Sequence, residues 1–349
     1  MMKSTDTSGL RRVSHPQESW EWPIAVYLYL AGLGAGSFAV GVIADWLLDP
    51  SLPSRAMITW GPVLVAIGAP FLILDLGKKK RFLNACLNPM SSWAARGFLI
   101  LSTLIIAGLA VFGAAVLPSV LPLVGLQAPG WLNDELPFFR TLEIVAVVFS
   151  FGTAAYTGVF LKSTRYVTLW NTWLLPVLFV LSALSTGSMS IVMALLGFGL
   201  AGGNESLVDL AHEIARAEQV LVIAEALVLL LFIILRSRAG EAGMTAAKSL
   251  ASGKLKFAFW GGIVLMGLVF PAAMETLYVI LPDYPALIFV GGASLLTGGF
   301  FLRYAIVKGG IKDQHPLNKL VPAAYDWETL ATASSDDVAG QQSSASRNR

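Results

Sequence analysis

Eight stretches of the chain are apolar for long enough to cross a bilayer, and short polar breaks separate them. A hydrocarbon core about 30 Å thick requires roughly 20 apolar residues in a helix. That predicts spans near 23–47, 55–76, 93–117, 139–161, 170–198, 208–235, 256–280 and 286–308. The connections carry helix breakers: Asp49-Pro50 with Pro53, Asn88-Pro89, the run from Pro118 to Pro137, Gly199 to Asn204, Arg236 to Gly253, and Leu281 to Pro285. The expected fold is all-α, a polytopic membrane protein whose eight transmembrane helices form a bundle. Residues 1–22 make a polar amino tail and 23–311 the membrane domain. Residues 312–349 end in "ATASSDDVAGQQSSASRNR", which has too little apolar surface to order itself. No small-residue cleavage site follows a short apolar core near the amino end, so the first span is expected to be a retained helix.

Composition agrees with this pattern. The chain is 56% hydrophobic and 13% charged, against roughly a quarter charged residues in a soluble domain. A single cysteine, Cys86, excludes an internal disulfide, a CxxC pair and a four-cysteine iron–sulfur site. No feature points to nucleic acid as a partner.

The net charge of +2 matters less than its distribution. Of the 24 Lys and Arg, all but Arg55, Arg140 and Arg216 fall in the tails, in every second connection, or at the helix ends beside them. Positively charged short loops stay cytoplasmic, so both termini are expected in the cytoplasm. Chance clustering of basic residues at helix ends does not alternate strictly over eight spans.

Candidate chemistry begins with what is missing. His15, His212 and His315 fall at or beyond the predicted helix ends, so a haem held by two histidines within the bundle is not expected. Ionisable residues inside a membrane are costly and mark function by default. They are Asp75, Glu143, Glu218, Glu225, Glu275 and Arg303. Glu218 and Glu225 lie seven apart, on one helix face two turns from each other, and with Glu143 they are candidates for a proton path. For Glu225 a proton relay and a structural hydrogen bond are both open. Glu143 and Glu275 also read as interfacial carboxylates, and Arg303 either snorkels to the surface or pairs with a buried carboxylate.

Orientation brings distant residues to one depth. Trp22, Tyr27 and Tyr29 lie in the first third of span 1, Asp75 and "LGKKKRF" close span 2 at the same level, and Tyr156 lies near the matching end of span 4. A carboxylate, phenols and an apolar cleft are what a quinone head group requires. An aromatic belt at headgroup level is the competing reading. The glycines of "YLAGLGAG", with Gly32, Gly34 and Gly36, sit inside an apolar span, so they serve close helix approach or make room for a flat ring; no phosphate loop is read there.

Five blocks, "WEWPIAVYLYLAGLGAG", "FLILDLGKKKRFLNACLNPMSSW", "RTLEIVAVVFSFGTAAYTG", "WLLPVLFVLSALSTG" and "GGASLLTGGFFLRYAIVKGG", resemble the NrfD/PsrC (polysulfide reductase-like) integral membrane subunits. The resemblance implies a haem-free, quinone-binding anchor in the bacterial inner membrane, with menaquinone or ubiquinone in a site within helices 1–4. It implies a four-cluster ferredoxin-like iron–sulfur partner linked to a molybdopterin-type catalytic subunit, and activity only in that assembly. It points to Tyr27, Tyr156, Asp75 and Arg81 as site residues, and the depth and glycine readings above add Trp22, Tyr29, Gly32 and Gly36 as candidates to contact the ring. "GKKKRF" departs from the family's usual Gly-Arg-Pro version. The best-known relatives hold their partners on the periplasmic side near the start of helix 1, whereas the charge count here puts that side in the cytoplasm. Secondary transporters commonly carry inverted repeats, and no convincing repeat relates the two halves of this sequence. A reporter that is active only in the periplasm, fused after Arg349, is expected to stay silent; activity there would reverse the orientation.

Overall fold

The computed structural model describes residues 15–16, 22–47, 55–74, 93–131, 136–164 and 167–312. Lipid offers no hydrogen-bond partner to the backbone, so the apolar stretches satisfy their own N–H and C=O groups as helices. The order is β1 (His15–Pro16), α1 (Trp22–Leu47), α2 (Ala56–Thr59), α3 (Gly61–Leu74), α4 (Trp93–Val120) and α5 (Pro137–Ser163). There follow α6 (Leu174–Gly202), α7 (Glu205–Ser237), α8 (Glu241–Ala251), a π-helix (Phe257–Val269) continuous with α9 (Phe270–Ile280), α10 (Ala286–Lys308) and β2 (Ile311–Lys312).

Seven helices among the described residues are long and apolar enough to cross a membrane. The expected second span is the exception. Its described part is the pair α2 and α3, with a shorter apolar stretch over Met57–Leu72. Neighbour contacts run Ile58 by Gly41, Gly61 by Gly34, Gly68 by Leu30 and Phe71 by Trp22, so the pair folds back antiparallel along α1.

We call the end of the bundle where α1 begins proximal and the end where it finishes distal. At the proximal end β1 and β2 pair antiparallel, with His15 opposite Lys312. The α6–α7 hairpin turns at the distal end in two residues. Gly203 closes α6 in the left-handed region at φ 62°, and the Asn204 side chain accepts from the Leu207 N–H to start α7. With 33 residues, α7 is about 50 Å long at 1.5 Å per residue. It therefore outruns the hydrocarbon layer, and its first turns carry Glu205, Asp209, Glu213 and Arg216.

The π-helix has a chemical stop. Its i→i+5 ladder places the Phe270 N–H on Leu265 O, and the next donor is Pro271, which has no N–H. The orphaned Met266 carbonyl instead accepts from Ser294 Oγ on α10 at 2.8 Å. That hydrogen bond fixes α9, which carries Glu275 and Tyr278, against α10.

Helix α1 is the centre of the bundle, touching α3, α5, α6 and α10, and 72% of its apolar window is buried. A side chain at Gly36 would collide with the Ala183 carbonyl of α6, and one at Gly34 with Gly61 O and Val65 of α3. The missing side chains let three backbones meet, the small-residue logic of membrane helices. Beside them Ser37 and Ser190 share a buried hydrogen bond of 2.7 Å between α1 and α6. Overpacking this seam with Gly36→Val is expected to lower stability by about 1–3 kcal/mol, read as earlier thermal unfolding of the full-length protein in detergent. Gly113→Ala, beside which only Leu117 lies within 4 Å, should leave unfolding unchanged.

Candidate functional site

Three groups of polar side chains lie at different depths of this bundle. The first is a pair of phenols toward the proximal end. Tyr27 (α1) and Tyr156 (α5) are both buried and close enough to interact electrostatically. The Tyr27 hydroxyl is sealed from solvent with no hydrogen-bond partner among the described residues. The Tyr156 ring lies against the backbone of Gly97 on α4, where any side chain would collide with it, and against Phe160 at 5.7 Å between ring centroids. Trp22 is 55% exposed at the proximal mouth and meets Phe71 edge-on at 6.4 Å.

Tyr29 shares their depth but not their side of the helix. Two residues along an α-helix turn through about 200°, so Tyr29 meets Phe300 of α10 edge-on at 5.8 Å. Sequence depth alone could not separate Tyr27 from Tyr29. Asp75 and Arg81, also expected here, lie outside the described residues.

The second group is central and is organised by Arg303. This side chain is 1% exposed, so of the two open readings the structure has the buried one. Its Nη1 donates to Ser182 Oγ at 2.5 Å and to Gly299 O at 3.0 Å, and the guanidinium lies 5.4 Å from the Phe179 ring centre. Gly32 is where it fits: a Cβ there would sit 3.1 Å from Nη2. Thus Gly32 and Gly36 face Arg303 and the α6 backbone. Glu225 completes the group, within hydrogen-bonding reach of Ser182 and interacting electrostatically with Arg303.

Toward the distal side, Glu218 is fully buried and accepts from Ser185 Oγ at 2.9 Å. Its carboxyl group is within hydrogen-bonding reach of Glu275 on α9. Glu275, read from sequence as an interfacial carboxylate, is 2% exposed.

The third group closes the distal end of α1. Arg55 Nη2 donates to Asp45 Oδ2 at 2.8 Å and also to Glu143 Oε1. Glu143 Oε2 accepts from Arg140 at 3.0 Å and from Trp46 Nε1 at 3.2 Å. Glu143 therefore belongs to a charge-paired cluster and is not grouped with Glu218 and Glu225. Sequence reading passed over Asp45, although an acidic residue within an apolar span was its signal. It also passed over Ser182 and Ser185, whose signal was the polar periodicity of "LSALSTGSMS" on α6.

A helical bundle of this kind, with its ionisable residues buried and paired among the helices, is a multi-pass integral membrane protein. Residues 12–312 match the family described as "Polysulphide reductase, NrfD". Over 315 residues the sequence is 31% identical to the C subunit of polysulfide reductase from Wolinella succinogenes, a match that takes in 83% of this protein and 94% of that one. It is 27% identical over 307 residues to protein NrfD of Escherichia coli K12, again covering 83% and 94%. A protein NrfD homolog of Haemophilus influenzae is 22% identical over 282 residues, covering 73% and 83%. The chain belongs to the NrfD family of polysulphide reductase-type membrane subunits.

The distal cluster predicts a stability effect that is independent of any activity. Removing Arg55 as Arg55→Leu leaves the buried Asp45 and Glu143 only the half-exposed Arg140 as a shared cation, at a cost approaching the roughly 3–5 kcal/mol of a broken buried pair. Thermal unfolding should fall sharply for that variant and much less for Arg216→Leu, whose ion pair with Glu213 lies at the surface.

Proposed function

We propose that this protein is the quinone-binding membrane anchor of a respiratory oxidoreductase, active only with its partner subunits. The observation that carries the reading is the Tyr27 hydroxyl, a buried donor with no partner among the described residues, beside Tyr156. Native structures rarely leave such a group unpaired, and a carbonyl oxygen of a bound ring would satisfy it. The residues present thus fit the group they are proposed to bind. A quinone supplies two-electron, two-proton redox chemistry when bound, and the protein's own residues hold and position it. Tyr27 donates to a ring carbonyl, Tyr156 lies alongside, and Trp22 with Phe71 walls the proximal mouth. Asp75 and Arg81 are assigned proton exchange and partner contact.

Electrons are exchanged between the quinone and a ferredoxin-like iron–sulfur subunit, itself linked to a molybdopterin-type catalytic subunit, at the proximal end. The charge asymmetry supports a cytoplasmic proximal end in the bacterial inner membrane, with tails 1–22 and 312–349 on that side. Pairing of β1 with β2 supports an even number of passes, with α2 and α3 making the eighth beside the seven long helices.

The test measures quinone-dependent electron transfer in the assembled complex. Tyr27→Phe should weaken quinone binding about tenfold, the worth of one hydrogen bond of about 1–1.5 kcal/mol. Asp75→Asn and Tyr156→Phe should each lower turnover by roughly a hundredfold or more, the range of proton-transfer catalysis, while the complex still assembles. Full activity and unchanged affinity in all three variants would remove the site from this end of the bundle.

A further inference from the structure

We propose that Glu218 and Glu275 form a proton-sharing carboxyl pair, and that a cavity on the distal side of α7 and α9 is its aqueous access. This site is separate from the Tyr27–Tyr156 pair and does not depend on quinone binding.

The cavity holds about 300 Å³ and is bordered by Ala215, His212, Arg216, Gln219, Glu275 and Tyr278, with aliphatic walls behind them. That volume has room for on the order of ten waters at about 30 Å³ each. His212 Nε2 and the Tyr278 hydroxyl are 3.0 Å apart, Gln219 is within reach of Glu275, and Glu275 reaches inward to Glu218. The rim lies on the first half of α7, a helix longer than the hydrocarbon layer is thick. There Arg216 pairs with Glu213, and both side chains are exposed.

Both carboxyl groups are nine-tenths or more buried, and each has one oxygen, Glu218 Oε2 and Glu275 Oε1, with no partner among the described residues. Two adjacent carboxylates in an apolar interior cannot both remain ionised, and the pair titrates as a unit. One proton held between them removes a charge and gives the pair a hydrogen bond. The neighbouring cations are otherwise engaged: Arg216 points outward to Glu213, and Arg303 is held by Ser182, Gly299 and Glu225. From α6 the pair is met by the neutral Ser185 and from α7 by Gln219 and the Glu225 carboxyl, while His212 and Tyr278 line the same cavity as Glu275.

The pair also stands at the head of a polar ladder. Glu225 lies two turns along α7, about 10 Å at 1.5 Å per residue. Ser185 and Ser182 of α6 run beside that interval, one bonded to Glu218 and the other to Arg303. A hydronium ion in the cavity water gives up a proton, its O–H bond breaking to leave water, as an O–H bond forms on a Glu275 or Glu218 carboxylate oxygen; the proton returns by the same route or moves on toward Glu225. No electron is transferred in this step.

Infrared difference spectroscopy of the full-length protein in lipid nanodiscs, on transfer from H₂O to D₂O, tests the pair directly. Wild type should show a protonated-carboxyl band that shifts on deuteration. Glu218→Gln and Glu275→Gln should each abolish that band, Glu225→Gln should retain it, and Glu275→Asp should move it without loss, which separates a missing carboxyl from misfolding. Ala215→Phe, which fills the cavity, should slow the exchange while keeping the band. Absence of an exchanging band in wild type, its survival in both Gln variants, or wild-type exchange with the cavity filled would each overturn the proposal. Retained quinone-dependent turnover in Ala215→Phe leaves the quinone reading standing on its own.

Discussion

Close approach of α1 to its neighbours is the constraint from which the remaining geometry follows. Lipid tails are as apolar as leucine, so contact between well-matched surfaces, and not exclusion of water, holds membrane helices together. Gly34 and Gly36 give α1 such surfaces on two sides, one against Gly61 on α3 and the other against Ala183 on α6. The Ser37–Ser190 hydrogen bond adds a polar tie at the same level as the second contact. With α1 seated there, its two ends set the depth of everything else: Tyr27 near one end and Asp45 near the other.

The same absence of water governs the charges. An ionised group in the bundle has to be satisfied by protein, and this protein does so in two different ways. At the distal end of α1, acids and arginines are matched in a compact cluster around Asp45 and Glu143. Between α6, α7, α9 and α10 the acids outnumber the cations: Glu218, Glu225 and Glu275 share that region with the single central Arg303. Full charge compensation suits a structural joint, while an excess of buried carboxyl groups beside an open cavity suits proton exchange. Intramembrane position alone does not distinguish these two arrangements of buried acids; their partners do.

The π-helix shows how a small backbone event positions chemistry. Pro271 interrupts the i→i+5 ladder, Ser294 takes up the stranded carbonyl, and the following helix is held against α10. One turn further on stands Glu275, facing Glu218. One proline thus sets where the unusual helix ends, one turn before the carboxyl that meets Glu218.

Hydropathy and charge alone determined the helical membrane class, the number of long apolar segments to within the α2–α3 pair, and the rank of buried acids and Arg303 as residues of interest. These are properties of single segments, because burial in lipid depends on the run of side chains and not on their neighbours in space. The five sequence blocks likewise sufficed for the family. Depth along the membrane was legible too, since a helix converts residue number into height, and it correctly brought Tyr27 level with Tyr156. Azimuth was not. Which way a side chain points around its helix, and what meets it there, depends on how several helices rotate against one another. Only the tertiary structure therefore separated Tyr29 from Tyr27, seated Arg303 in the gap left by Gly32, tied Glu143 to Arg55, and brought Glu275 to Glu218.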